Sequence, residues 1–466
     1  MFNFNKINVI KMFCLYIFLF FFLVANTLWI FFDIYLGSFQ YNLNINFSNL
    51  YFRFGIDTIS FFFIYLTTLL ISLCLLYTLN SKVTNKEKQD YVFLLFTVGI
   101  LLLFVFYTLD LLIFYISFEL ILIPFFTYIG ISGYRKRRIH AAYLFFFYTL
   151  IGSFFMLISI FIVYSYVGTT DLEILWNVEW VGNIKYLLWF ALFLTFSIKV
   201  PMFPFHIWSP EAHVEAPTEG SVLSAGLLLK LGTYGFLRYL FPMFMDLNYY
   251  FSNLVITLSM LGIVYTSLST LRQIDIKRIV AYSSIAHMNM CMLGLFSFNE
   301  IAMLGSIFLM IAHGVVSGGL FFIIGIIYNR FKTKNIYYLS GIVNLMPVMC
   351  FFFFIFTLGN IGMPGTSNFV GELLILVGIM YQGYYLGVLV AVIGIFLCTV
   401  YSMWMYNKII FMIPKFNYVV VTDLYLFELV VLMPLIVFIF FMGIKPSILF
   451  NLLSSSVLLH FFEQFN

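Results

Sequence analysis

The sequence predicts an all-α polytopic membrane protein of about 13 transmembrane helices, folded as two inverted five-helix repeats around broken helices. Three observations predict it. Of 466 residues, 63% are hydrophobic and only 9% are charged, and the mean hydropathy is +1.06; a soluble domain carries roughly 25% charged residues. The apolar residues fall in runs long enough to cross a bilayer as helices, not in the alternating ten-residue segments of a transmembrane barrel. Two of the runs are interrupted by Pro and Gly at matching places in the two halves.

In chain order the apolar segments are 9–36, 56–79, 91–108, 110–131, 140–166, 183–207, 217–241, 250–271, 276–297, 301–329, 343–380, 385–412 and 424–445. The first is too long for a signal-peptide core and lacks a small-residue cleavage site, so no cleavable leader is expected. The segment 183–207 runs through YLLWFALFLTFSI to Lys199 and then meets Pro201 and Pro204. A proline ring removes a backbone donor and clashes with the preceding turn, so the helix should break beside Lys199. The segment 343–380 is too short for two spans, and its middle reads GNIGMPGTSNF, which predicts one broken helix. The two breaks lie five helices apart, an odd number, so equivalent helices would run in opposite directions. That spacing predicts inverted repeats over 91–241 and 250–412, with flanking helices in 1–90 and a helix and tail in 413–466. His460 and Glu463 fall in the tail, expected to be short, amphipathic and interfacial.

Orientation follows from the basic residues. With 13 spans, most of the 23 Lys and Arg collect on the side of the N-terminus, among them Arg135–Arg138, Lys277, Arg278, Arg330, Lys334, Lys408 and Lys415. Arg53, Lys185, Arg238 and Lys445 are left for the opposite side. The N-terminus is therefore expected inside, in matrix or cytoplasm. The basic run Arg135–Arg138 reads as a topology signal and a contact for anionic lipid headgroups; the net charge of +4 is no footprint for nucleic acid. Phe at 62 and Tyr at 32 are what an AT-rich organelle genome encodes.

The five cysteines, Cys14, Cys74, Cys291, Cys350 and Cys398, each fall in an apolar run without metal or redox spacing, and are read as small buried apolar residues. The sequence has no dinucleotide-binding glycine loop, Walker A loop or haem motif, so no redox cofactor and no metal are expected in this chain.

What remains are ionisable residues inside apolar runs, which cost about 2.5–3.5 kcal/mol each on insertion scales and so have a partner or a task. Glu119 lies mid-helix five residues before Pro124, Lys199 at the first break, Lys230 in SAGLLLKLGTYG, and Glu372 just after the second break. His287 stands in IVAYSSIAHMNM and His313 in IFLMIAHGVVSGG. These six supply what a proton path needs: groups that change charge, spaced through the bilayer. Burial disfavours the charged form of a lysine or a glutamate, and pairing restores it. Opening a Glu119–Lys199 pair would therefore move protons on and off a neighbouring lysine. Each group also has a bland reading, as a structural partner or a hydrogen-bonded core histidine, and so do His206 and His213 near the inner mouth. Asp57 and Asp110 begin helices and read as caps.

KVPMFPFHIWSPEAHVEAPTEGSVLSAGLLLKLGTYGFLR, DIKRIVAYSSIAHM, IAHGVVSGGLF and GMPGTSNFVGELLIL, in that order, resemble the antiporter-like membrane subunits of proton-pumping NADH:quinone oxidoreductase, respiratory complex I, in their subunit 4 branch. The resemblance covers 50–445. It implies two inverted five-helix bundles with flanking helices, in a mitochondrially encoded core subunit of the membrane arm. Such a subunit lies in the inner mitochondrial membrane among other membrane-arm subunits. NADH, FMN, iron–sulfur clusters and ubiquinone would act elsewhere in the complex. By resemblance, Glu119 and Lys199 form the ion pair, Lys230 is the central lysine, His287 and His313 continue the hydrophilic axis, and Glu372 exchanges protons with the outer side. Two departures stand out. One helix, not two, precedes GIDTIS, so the first family helix is expected to be missing or supplied by another polypeptide, and Glu219 in APTEGS replaces a usual small residue. The competing readings are a subunit of a multi-subunit cation/proton antiporter, which shares the same Glu and Lys set, and an assembly protein with a dead channel, which would have lost them.

Overall fold

The computed structural model describes residues 3–33, 38–47, 50–79, 85–133, 135–413 and 421–461. Lys415 and Glu463 lie outside them. Each apolar segment is helical over most of its described residues. Ten helices among the described residues are long and apolar enough to cross a membrane, from Met12–Phe31 to Leu426–Ile444. A further span is divided into the shorter helices Pro347–Ile361 and Ser367–Tyr381. The protein is a helical polytopic membrane protein.

Burial sorts the helices. Thr58–Thr78, Thr218–Met243 and Glu300–Phe331 are almost wholly enclosed and form the centre. Met12–Phe31, Tyr385–Ile410 and Leu426–Ile444 leave most of their residues at least partly exposed and surround it. Their exposed residues include many large apolar side chains, such as Phe20, Leu386 and Phe396, as a lipid-facing surface requires.

The first predicted break is observed. The helix Ile184–Lys199 stops at Lys199 and resumes as Trp208–Glu215. The freed carbonyl of Ile198 accepts a bond from Trp208 Nε1 at 2.8 Å, which satisfies backbone that lipid could not. The second break is also observed, with Gly362 at φ 75° ending Pro347–Ile361 and Ser367 starting the next helix. Its backbone closes on itself, Met363 N donating to Leu358 O at 3.1 Å. Segment 110–131 divides at Ile121 into Leu111–Leu120 and Leu122–Ser132, because Pro124 has no N–H to give Leu120.

The Lys230 helix, Thr218–Met243, is not a regular α-helix. It contains two wide π turns, Ser224–Leu228 and Phe236–Leu240. It crosses the Lys199 helix at Gly232, where an added Cβ would stand 2.8 Å from Phe196 O and 2.9 Å from Val200 N. Only glycine permits that approach, and it brings the surroundings of the two lysines together.

Four sequence expectations need correction. Residues 40–56, left without an element, form an antiparallel hairpin of strands Gln40–Phe47 and Leu50–Ile56. Arg238, assigned to a loop side, is 3% exposed inside the protein and paired with Asp57 at 2.5 Å. Lys277 and Lys334, counted as interfacial, are buried too. Lys277 Nζ donates to Ala216 O at 2.9 Å and Ser221 Oγ at 3.2 Å, and Lys334 Nζ to Val214 O at 2.7 Å. The tail helix Ser447–Phe461 is docked rather than merely interfacial: Leu449, Leu452 and Leu453 are buried and Phe450 meets Phe308 of the central helix.

Candidate functional site

Four of the six intramembrane candidates come together in one buried file. Lys230, with no exposed surface, sits just past the first π turn. In that turn Leu229 N–H reaches back five residues to Ser224 O. The Ala225 carbonyl, which a regular helix would commit to Leu229, instead accepts from Lys230 Nζ at 2.5 Å. The same Nζ lies 2.9 Å from His313 Nδ1. The His313 ring faces the His287 ring with centroids 5.3 Å apart. His287 Nδ1 stands 3.2 Å from Glu372 Oε1. His313, His287 and Glu372 are 0%, 5% and 4% exposed, so the file is shielded by protein throughout.

Glu372 is positioned by the second break. Its carboxylate lies against Gly362, where an added Cβ would come 2.6 Å from Glu372 Oε2. His287 also presents Nε2 to Cys398 Sγ at 3.9 Å, and that thiol bonds the Asn360 carbonyl at 3.5 Å. Cys398 is therefore a polar neighbour of the file, not the inert apolar residue expected from its run IFLCTV. Nothing in the local sequence signals this, because its partners come from two other helices.

Glu119 and Lys199 are electrostatic neighbours, but no ion pair closes between them among the described residues. Lys199, 1% exposed, points its Nζ at the face of Phe118, 4.3 Å from the ring centroid, with Phe145 at 5.9 Å. Glu119 is only partly enclosed, and its Oε1 lacks a hydrogen-bond partner among the described residues.

At the other end of the Lys230 helix a second polar cluster is buried. His213 shares a 2.7 Å hydrogen bond with Ser224 Oγ and stacks on Phe321. Glu219 Oε2 accepts from Tyr128 OH at 3.4 Å and acts electrostatically on Lys277. In the loop beyond Glu300–Phe331, burial pushes the Lys334 ammonium down to about 8, against the pull of Glu215. Arg278 pairs with Glu211 at 2.6 Å and Arg135 with Asp275 at 3.2 Å. Arg138 donates to the carbonyls of Ile131 and Gly133, so the basic run is partly used within the fold. His206 stacks on Phe203 and meets Tyr265 edge-on, apart from the file. Asp110 caps its helix through Leu112 N and Ile113 N, and Asp57 receives Ser60 N, as read from the sequence.

Broken membrane helices around a buried file of titratable groups define the class, and the sequence agrees. Residues 108–398 match the family described as NADH:quinone oxidoreductase/Mrp antiporter, transmembrane, and the chain belongs to that family. Within it, the chain goes with the proteins named NADH-ubiquinone oxidoreductase chain 4. The one from Marchantia polymorpha is 46% identical over 457 residues, covering 97% of this chain and 92% of the relative. Among solved structures, a chain of respiratory complex I from Thermus thermophilus with bound NADH superimposes with a TM-score of 0.85 at 27% identity. The match covers 93% of this chain and 91% of that one. A chain of the Mrp complex from Dietzia sp. DQ12-45-1b shares the fold, with a TM-score of 0.88 at 18% identity over 98% of this chain and 93% of that one.

Proposed function

We propose that this chain is a proton-translocating subunit of the membrane arm of NADH-ubiquinone oxidoreductase, assembled with other membrane-arm subunits in the inner mitochondrial membrane. Its N-terminus faces the matrix. Electron transfer from NADH through FMN and iron–sulfur clusters to ubiquinone belongs to other subunits, and this chain uses the energy released. The observation that carries the reading is the buried file from Lys230 through His313 and His287 to Glu372.

In this reading Lys230 gives its proton to His313 Nδ1, 2.9 Å away. Imidazole accepts a proton at one ring nitrogen and releases one at the other, so it can relay without turning over. The His313 and His287 rings are neighbours, with centroids 5.3 Å apart, so the proton passes from one ring to the next. From His287 Nδ1 the proton reaches Glu372, beside the second helix break, and leaves outward. The drive is electrostatic. When Lys199 separates from Glu119, its charge is uncompensated in a medium of low dielectric, and it disfavours a second ammonium at Lys230. The two breaks, five helices apart, are the equivalent positions of inverted repeats over 91–241 and 250–412, each a half-channel. The identity to chain 4 relatives favours this reading over a cation/proton antiporter subunit.

The test is proton pumping coupled to NADH oxidation in sealed membranes carrying Lys230→Ala or Glu372→Gln, measured per assembled complex. Pumping should fall at least tenfold with assembly retained. Wild-type pumping by both variants would make these residues structural and the reading wrong.

A further inference from the structure

Lys199 poses a question that the ion pair leaves open. If Glu119 is to release it, the ammonium must go somewhere, and a bare ammonium in a water-poor interior is prohibitively costly. The structure shows where it rests. Nζ of Lys199 has no hydrogen-bond acceptor among the described residues and lies over the Phe118 ring at 4.3 Å. The ring of Phe145 lies 5.9 Å from the same Nζ, itself backed by Trp208, the residue that caps the helix break through Ile198 O. An aromatic face is the one apolar surface that attracts a cation, and the attraction is strongest where both are desolvated. Phe118 has no exposed surface. It is also the chain neighbour of Glu119, and adjacent helical residues diverge by about 100°. One short swing of the Lys199 side chain therefore exchanges carboxylate for ring.

We propose that Phe118 is a positioning residue for the proton-translocating cycle, the aromatic seat that holds the Lys199 ammonium while it is separated from Glu119. The proposal rests on the function assigned to Lys199 above. The ring makes the open state a defined minimum, so that the pair can open without losing the lysine to solvent or to a neutral form. An aliphatic side chain of similar bulk fills the same space but offers no quadrupole. A desolvated cation–π contact is worth about 2 kcal/mol, or roughly thirtyfold in the ratio of open to closed pair.

The experiment compares NADH-driven pumping per assembled complex for Phe118→Leu, Phe118→Met and Phe118→Tyr, beside Lys199→Ala. Leu and Met should each lower pumping about tenfold, and Tyr, which keeps the ring face, should restore it to near wild type. If Phe118→Leu complexes do not assemble, Met, which is unbranched and fits irregular space, carries the comparison. Pumping retained in Phe118→Met while Lys199→Ala abolishes it would overturn the aromatic seat alone. A Tyr variant as impaired as Met would do the same. Normal pumping by Lys199→Ala would instead overturn the function proposed for the lysine, and the seat with it.

Discussion

Gly362 offers a way to move Glu372 without changing its chemistry. In Gly362→Ala two costs are added. The residue sits at φ 75°, where an L side chain is strained by roughly 1–2 kcal/mol. The new Cβ would also stand 2.6 Å from Glu372 Oε2 and 3.3 Å from its Cδ. Ordinary contact begins near 3.4 Å, so the carboxylate must retreat by about 0.8 Å, the difference of the two distances. The carboxylate so displaced is the one whose Oε1 lies 3.2 Å from His287 Nδ1, so the contact at the end of the file is disturbed. Gly365 supplies the control. It has φ 91°, and an alanine there would meet nothing within 4 Å, so Gly365→Ala carries the strain without the collision. Sealed membranes are assayed for protons moved per NADH oxidised, with assembly followed on native gels. Gly362→Ala should lose at least tenfold in pumping while Gly365→Ala stays within about twofold of wild type. Equal losses in both would place the effect in the loop backbone, and normal pumping in an assembled Gly362→Ala complex would refute the role given to Glu372.

Two further outcomes concern stability. Arg238 and Asp57 form a buried pair at 2.5 Å, and Arg238→Met should cost about 3–5 kcal/mol by stranding the carboxylate, seen as lost assembly, while adding Asp57→Asn should recover much of it. Lys334 has an ammonium lowered by burial to about 8, below the roughly 10.4 of an unfolded lysine. The unfolded chain therefore holds more protons between these values, so its destabilisation is full below pH 8 and lifts as pH rises toward 10.4. Thermal melts of the purified complex across that window should rise with pH relative to Lys334→Met, and parallel profiles would refute the assignment.

How much of this was legible beforehand depends on the range of the interaction. The break at Lys199 was readable because Pro201 and Pro204 act on their own backbone, wherever the helix lies. The break before Glu372 was readable for the same reason, from Gly362, Pro364 and Gly365. A count of basic residues misplaces Lys277 and Lys334 because it treats every one near a helix end as a solvent anchor, while their acceptors, Ala216, Ser221 and Val214, lie 56 to 120 residues away. The hairpin was written in the alternation of NLNINF, but it was lost beside so strong a helical signal. Phe118 could not be distinguished among 62 phenylalanines until the fold laid Lys199 across it. Cys398 was hidden likewise.

The wide turns of the Lys230 helix carry a consequence for how this chain tolerates change. Each π turn holds one residue more than a regular turn and so rotates everything beyond it by about 100° relative to a regular helix. The aim of Lys230 at His313 is thus set by a count of residues as much as by their identity. Deleting one residue within Gly226–Leu228 would restore ordinary winding and leave the direction of the lysine nearly unchanged, because the wide turn already absorbs the extra residue, but it would return the Ala225 carbonyl to the backbone ladder. A replacement that forced regular winding at the same residue count would instead turn the lysine by about 100° from its acceptor, so this helix is most sensitive to changes that disfavour the wide turn.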